Sequence, residues 1–209
     1  LLEDVTFTSD VVFSALRSLR ATKSCGPDGI PNILLKRCAQ NLTTPLCHIF
    51  EMYLRTRKLP EIWKTTYITP IHKKGPTSVA SNYRPISLTC TCCRVMEKIA
   101  GKCILAHLST HGLISPHQHG FLRQRSTCTN LLDWIMALSG GDRIDIVYFD
   151  FQDTFDSISH PKLKTKLSSY GVSGDLLAWI MDFLNARRQL VRIGDAYLLQ
   201  EKLPVVCPR

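Results

Sequence analysis

One segment of the chain carries the residue types best suited to chemistry. Residues 146–160 read Ile-Val-Tyr-Phe-Asp-Phe-Gln-Asp-Thr-Phe-Asp-Ser-Ile-Ser-His, so that an apolar run ends at Asp150 and further aspartates follow at 153 and 156. A strand buried on both faces excludes a charge from its interior, and a carboxylate at its end lies where a divalent cation can bind. The segment therefore predicts a strand over about 143–150 with a metal ligand at its exit.

Positive charge is concentrated in the middle of the chain. The 209 residues have a formal net charge of +9, and the stretch from Arg55 to Arg125 holds twelve lysines and arginines against two acids, Glu61 and Glu97. This clustering favours a polyanionic partner for the middle of the chain, with a solvated basic face as the alternative. No apolar stretch approaches the roughly 18 residues of a membrane span, and no signal peptide is recognisable.

The nine cysteines, in a chain without a secretory signal, indicate reduced and mostly buried thiols. Cys90 and Cys93 have the spacing of one half of a zinc site, and Cys103, His107 and His111 follow, but a second C-x-x-C pair is missing. An amphipathic helix explains this stretch better, because its apolar residues recur at helical spacing. These residues are Val95, Met96, Ile99, Cys103, Ile104 and Leu108.

Apolar periodicity and turn residues predict the elements that must position these side chains. Helices are expected near residues 10–21, 31–38, 44–57, 92–109, 126–138, 161–169 and 175–186. Strands are expected at 65–72, 82–88, 143–150, 191–193 and 197–199, the last two forming a hairpin at Gly194-Asp195. Pro70 places the strand at 65–72 at an edge or bulge. The mixture lacks strict strand–helix alternation, which predicts an α+β fold.

Five blocks, in order, resemble the reverse transcriptases of non-LTR retrotransposons of the LINE and jockey type. Five ordered matches are far more specific than any single motif. The blocks are Lys23 to Ile30, Trp63-Lys64 through Gly75, Asn82 to Leu88 (Asn-Tyr-Arg-Pro-Ile-Ser-Leu), Gln118 to Phe121 with Arg125 to Thr127, and the segment around Asp150 and Phe155.

The resemblance implies a right-hand polymerase fold and an RNA-directed DNA polymerase. Fingers with an N-terminal helical extension are expected over 10–140 and a partial palm over 141–209, without the C-terminal half of the palm or the thumb. The implied cofactor is Mg²⁺, with Mn²⁺ as an alternative, and two ions would serve nucleotidyl transfer. The implied partners are an RNA template, a DNA primer and deoxynucleoside triphosphates, with no membrane. The family's ribonucleoproteins suggest an intracellular location, in the nucleus or cytoplasm.

The resemblance also assigns roles to individual residues. Asp150 would be catalytic and would bind metal together with the backbone carbonyl of Phe151. Phe155 would select deoxynucleotides by colliding with a ribose 2′-hydroxyl. The remaining nucleotide-binding residues would be Arg84, Lys73, Lys74, Asp153 and Thr154, and the nucleic acid would contact Arg123, Arg125 and Lys64. His160, before Pro161, is interpreted as a structural residue at the start of a helix.

The sequence departs from the family pattern at three places. Asp153-Thr154 replaces the usual Lys-Ala, and Leu122 takes the place of an arginine. The chain ends Pro204-Val-Val-Cys-Pro-Arg209 where the family continues Ser-Gly-Val-Pro-Gln-Gly-Ser, and the later motif with two adjacent aspartates is absent. A truncated fragment that is inactive alone is therefore expected.

Two alternatives belong to other functional classes. A haloacid-dehalogenase-type phosphatase requires Asp-x-Asp-x-Thr, and Gln152 occupies the second aspartate position here. The stronger alternative is a non-catalytic, nucleic-acid-binding remnant of a decayed element, which would retain the fingers and half of the palm.

Overall fold

The computed structural model describes residues 1–140, 143, 145, 147–150, 157–194 and 196–200, which form a mixed α+β structure. Its helices are α1 (Ser9–Arg17), α2 (Asn32–Arg37), α3 (Ala39–Thr56), α4 (Glu61–Lys64), α5 (Thr91–Thr110), α6 (Thr127–Ser139), α7 (His160–Ser169) and α8 (Gly174–Leu184). Its strands are β1 (Thr65–His72), β2 (Tyr83–Leu88), β3 (Arg188–Ile193) and β4 (Ala196–Gln200). The α+β prediction is confirmed. The arrangement of fingers and palm, with its boundary at 140/141, stays a prediction.

The predicted helices are present, with shifts at their ends. α1 ends at Arg17 rather than near residue 21, and α3 begins at Ala39, five residues before the predicted start. The amide groups of Asn41 and Leu42 both donate to the carbonyl of Cys38, so that α3 starts directly after α2. Pro45 consequently lies inside α3 instead of near its start. Residues 61–64 form the additional short helix α4.

The four strands form one sheet in the order β2-β1-β3-β4. β1 pairs antiparallel with β2 and parallel with β3, and β3 and β4 form the predicted hairpin. Pro70 lies directly opposite Pro85, and its position is beyond the β1–β3 ladder, which covers only residues 65–68 of β1. β1 is an inner strand with an uninterrupted β2 register, so the prediction that Pro70 places this strand at an edge or bulge is wrong. Because proline has no amide hydrogen to donate, the stretch of β1 beyond the β3 ladder tolerates Pro70.

The main hydrophobic core lies among the helices and includes residues from both ends of the chain. Phe7 packs on Phe50, with ring centroids 5.4 Å apart, and Phe50 packs edge-on against Trp63 at 6.2 Å. Trp179 and Leu176 of α8 belong to the same buried cluster. Each such apolar side chain contributes about 1.5–3 kcal/mol by leaving water.

The N-terminal segment joins this core by running along the start of α8. The Leu2 amide donates to the Gly171 carbonyl (2.8 Å), and the Leu2 carbonyl accepts from the Ser173 amide (3.0 Å). The Leu176 amide then donates to the carbonyl of Glu3 at 3.1 Å. Residues 2 and 3 therefore fasten the turn between α7 and α8.

A close contact between backbones explains one glycine of the Lys23–Ile30 block. A Cβ atom on Gly26 would lie 2.5 Å from the carbonyl oxygen of Thr89 and 2.6 Å from the amide nitrogen of Cys90. These backbone atoms precede α5, so they have little freedom to move away. Only a residue without a side chain fits here, and the loop before α2 is thereby held against the start of α5.

Candidate active site

The turn between β1 and β2 places two lysines at the tip of a hydrogen-bonded hairpin. The Lys73 amide donates to the Asn82 carbonyl at 2.8 Å, which extends the ladder one step beyond His72. Gly75 has φ +80°, and a Cβ there would lie 2.7 Å from the Asn82 side-chain nitrogen. That nitrogen donates to the Pro76 carbonyl at 2.9 Å. Lys73 and Lys74 are exposed on this braced turn.

Arg84 lies on β2 at the same end of the hairpin. It stands opposite Ile71 in the register, and its side chain is exposed. Residues opposite each other on paired strands point to the same face, as do residues two apart on one strand. Arg84 and Lys73 therefore share a face, because Lys73 follows Ile71 by two positions in the continued ladder. The structure brings these two nucleotide-binding candidates together, with Lys74 adjacent in the turn.

The loop before α6 presents two further cations. Arg123 and Arg125 are exposed, and Phe121 and Gln124 adopt positive φ values of 62° and 61°. Ser126 caps α6: its hydroxyl accepts from the Thr129 amide at 3.3 Å, and its own amide donates to the Thr129 hydroxyl at 2.9 Å. The loop is thus fixed to α6 at its C-terminal end.

His119 fixes the same loop from its other end, a role that the sequence analysis missed. Its buried ring bonds to the Thr129 hydroxyl through Nδ1 (2.8 Å) and to the Asp133 carboxylate through Nε2 (3.1 Å). Thr129 and Asp133 are four residues apart and lie on one face of α6. The sequence signal that could have indicated this role was the four-residue spacing of Thr129 and Asp133, close to the Gln118–Phe121 block that contains His119.

Asp150 is exposed and follows a stretch that is not a strand in this structure. Residues 147–150 have no regular secondary structure, and the Val147 and Phe149 side chains are 69% and 82% exposed. The predicted strand over 143–150 is therefore wrong for residues 147–150. A strand needs a neighbour that completes its hydrogen-bond ladder. In the described part of the chain, none of the four strands pairs with this segment.

Four of the predicted site residues lie outside the described residues: Phe151, Asp153, Thr154 and Phe155. Asp150 is the carboxylate of the predicted metal site that lies within the described residues. None of the described residues bonds to it. A free, exposed carboxylate is the hard oxygen donor that Mg²⁺ takes. Among the described residues, no group of three or more metal-binding side chains is found.

Lys64 has a different position from the one expected of a nucleic-acid ligand. Its side chain is buried, and its Nζ lies 2.7 Å from Oδ1 of Asp182 on α8. The other carboxylate oxygen of Asp182 accepts from the Leu59 amide at 2.8 Å. An ammonium group that is buried and paired is not presented to a polyanion, so this lysine ties the start of β1 to α8.

The cysteines before and within α5 pack into the core, as the amphipathic pattern indicated. Cys90, Cys92 and Cys93 are buried. Burial raises the pKa of the Cys90 thiol to about 12 and that of Cys92 to about 11, with the charge of Asp28 acting in the same direction. A thiol with so high a pKa stays protonated and is a poor metal ligand. His160 is the first residue of α7, as interpreted.

No helix within the described residues is long and apolar enough to cross a membrane.

The predicted cations lie on exposed surfaces at three places: the turn at Lys73-Lys74, Arg84 on β2, and the loop with Arg123 and Arg125. Cations on exposed turns and strands can bind phosphate groups.

Comparison with known proteins gives consistent matches. A family model described as reverse transcriptase (RNA-dependent DNA polymerase) matches residues 71–204. The probable RNA-directed DNA polymerase from transposon BS of Drosophila melanogaster is 26% identical over 209 residues, which cover 95% of this chain and 22% of that protein. The RNA-directed DNA polymerase from mobile element jockey of the same species is 29% identical over 165 residues, with 76% and 18% covered.

A third relative comes from another species. The Pol polyprotein from the type-1 retrotransposable element R2 of Popillia japonica is 26% identical over 148 residues, which cover 69% of this chain and 20% of that protein. The chain thus spans about a fifth of the length of these relatives.

Proposed function

The chain belongs to the reverse transcriptase family, in the form found in non-LTR retrotransposons, and we propose that it supplies the nucleotide-binding part of an RNA-directed DNA polymerase. The observation that carries the proposal is the β1–β2 hairpin. There, Arg84 and Lys73 share an exposed face at the end of the ladder, with Lys74 in the adjacent turn.

The hairpin suits the triphosphate of an incoming deoxynucleotide. The planar guanidinium of Arg84 can donate two parallel hydrogen bonds to phosphate oxygens, whereas Lys73 and Lys74 act as point charges on flexible stems. The turn is braced by the Asn82 bonds to Lys73 and Pro76, so the backbone that carries these cations does not have to be ordered when the nucleotide binds. Preorganised charge costs little at the moment of binding.

Asp150 is proposed as the catalytic carboxylate and the metal ligand, together with the carbonyl of Phe151. Two Mg²⁺ ions, or Mn²⁺, would stabilise the attacking and leaving oxygens when bound. We assign Asp153, Thr154 and Phe155 to the nucleotide, with Phe155 testing the sugar for a 2′-hydroxyl. Arg123 and Arg125, held on their loop by His119 and Ser126, would contact the backbone of the RNA template and DNA primer.

The test measures the binding of fluorescently labelled dTTP to the chain in the presence of Mg²⁺. Arg84→Gln should weaken binding by about tenfold or more, because it removes a charged, multi-donor phosphate contact. Arg188→Gln is the matched control. Arg188 is exposed on the same sheet, opposite Thr65 at the far end of β1, and lies 3.9 Å from Glu61.

Equal losses in the two variants would show a general effect of charge, and the nucleotide site would then be misassigned. Lys73→Gln should show a smaller loss than Arg84→Gln, because a lysine offers one point charge instead of a fork of donors.

A further inference from the structure

A small cleft lies outside the site described above, between the end of α1, the start of α2 and the first turns of α5. Its volume is about 220 Å³, and Arg20, Arg94 and Lys98 contribute to its lining. None of the described residues that line it is acidic or aromatic. A cleft with three cations and no acid in its lining has a positive potential that favours an anion.

Two of the three cations are held in place by neutral partners. Nη2 of Arg94 donates to the Thr91 hydroxyl at 2.8 Å and to the side-chain oxygen of buried Asn32 at 3.3 Å. Nζ of Lys98 donates to the Ser18 hydroxyl at 3.0 Å. These bonds position the charges without neutralising them. In the part of the chain that the structure describes, no hydrogen bond or ion pair engages the Arg20 guanidinium.

Glu97 is an acid whose charge interacts with Arg94, and it does not belong to the cleft's lining. Its carboxylate accepts from the Cys93 thiol at 3.1 Å, and its charge interacts with Arg187 as well as with Arg94. Burial raises the pKa of Glu97, which favours its neutral form. Arg20 has no side-chain partner among the described residues and Lys98 bonds only to a neutral hydroxyl, so the cleft retains a positive charge that an external anion can offset.

The shape and composition of the cleft distinguish between anions. A nucleotide base would need an aromatic face for stacking, and the lining offers none among the described residues. Phosphate oxygens, by contrast, match guanidinium and ammonium donors. We propose that this cleft binds a backbone phosphate of the nucleic-acid strand held by the polymerase, as a second contact separate from the β1–β2 hairpin. This inference rests on the proposed function, because the nucleic-acid strand is the one that the proposed polymerase would hold.

The test measures binding of a fluorescent single-stranded 20-nucleotide RNA to the full 209-residue chain by anisotropy at several salt concentrations. The cleft variant is Arg20→Gln/Lys98→Gln. The control is Arg17→Gln/Lys102→Gln, which removes the same charge from exposed positions on α1 and α5 that do not line the cleft. Arg20→Gln alone serves as a third variant, because its side chain has no partner to lose among the described residues.

The cleft variant should bind RNA about tenfold more weakly at low salt, and its plot of log affinity against log salt should be flatter by about 0.7 to 1.4. The control should keep the slope of the original chain. A DNA strand of the same sequence should show the same losses, because a phosphate contact does not read the base or the sugar.

Equal behaviour of the cleft and control variants would overturn the inference, and so would an Arg20→Gln variant that binds like the original chain. Binding of dTTP should stay unchanged in the cleft variant, since that ligand is assigned to Arg84. If the cleft variant binds RNA like its control while Arg84→Gln still weakens dTTP binding, the cleft is refuted and the proposed function stands.

Discussion

At the scale of single residues, Lys64 shows how an ion pair can replace a predicted contact. The ammonium of Lys64 and the carboxylate of Asp182 are 2.7 Å apart, and Asp182 also accepts from the Leu59 amide. Asp175 lies on α8 like Asp182 and pairs with Arg57. This second pair is much more exposed, with side-chain exposures of 60% for Arg57 and 35% for Asp175. The two pairs separate the effect of burial from the effect of charge.

Asp182→Asn should destabilise the chain by about 3 kcal/mol, because it leaves the Lys64 charge buried without a counter-charge. Asp175→Asn should cost less than about 1 kcal/mol, since an exposed pair is screened by water. Urea unfolding at neutral pH measures both. Similar losses in the two variants would mean that the burial of Lys64 has no energetic consequence.

Glu97 predicts a dependence of stability on pH. Burial raises its pKa in the folded state above the ordinary value of 4.5, against the opposing effects of the Cys93 thiol and two arginines. The folded chain therefore binds this proton more tightly than the unfolded chain, and the resulting stability is present below pH 4.5 and is lost as the pH rises through the folded value.

Glu97→Gln should remove that part of the pH dependence and leave the rest. The free energy of unfolding, measured from about pH 4 to 7, should fall with pH by a smaller amount in Glu97→Gln than in the original chain. Parallel curves for the two proteins would contradict the raised pKa.

At the scale of elements, the sequence predicted most helices, the strands β1 and β2, and the hairpin of β3 and β4, because these rest on local spacing. Apolar periodicity is a property of neighbouring residues, and Gly75 and Gly194 mark turns that connect adjacent strands. The parallel ladder between β1 and β3 could not be predicted in this way, since Thr65 and Arg188 are far apart in the sequence. The missing strand at 147–150 has the same cause, because its apolar composition does not specify a partner.

Gly26 is an element-scale constraint that can be tested directly. Gly26→Ala should destabilise the chain by about 2–3 kcal/mol, because the new Cβ would collide with the backbone of Thr89 and Cys90. Gly101→Ala is the control, since Gly101 lies within α5 and a Cβ there would meet open space among the described residues.

Gly101→Ala should stabilise the chain by up to about 1 kcal/mol through helix propensity. Thermal unfolding of the two variants should thus shift in opposite directions. A neutral Gly26→Ala would show that the loop before α2 does not depend on this close approach.

At the scale of the whole molecule, the distribution of carboxylates determines what the chain can catalyse. In the proposed mechanism several carboxylates hold two Mg²⁺ ions, and we expect Asp150 alone to bind them too weakly. The chain should therefore give no primer extension above background on poly(rA) with oligo(dT), Mg²⁺ and dTTP. A longer protein that includes the later pair of aspartates should extend the primer and lose this activity with Asp150→Asn but not with Asp145→Asn.

Robust extension by the 209-residue chain, abolished by Asp150→Asn, would contradict this expectation. It would show that carboxylates already present in the chain suffice to hold the ions.

The contacts of the N-terminal segment with α8 determine when the core can be completed during synthesis on the ribosome. Leu2 and Glu3 find their partners only at Gly171 to Leu176, and Lys64 is separated from Asp182 by 118 residues. α3 ends at Thr56 and α8 at Leu184, so at a synthesis rate of about 5–20 residues per second α3 waits roughly 6 to 26 s before α8 is complete. During that interval the apolar face of α3 that packs on α8 has no partner, so we expect the nascent chain to bind chaperones until α8 has been translated.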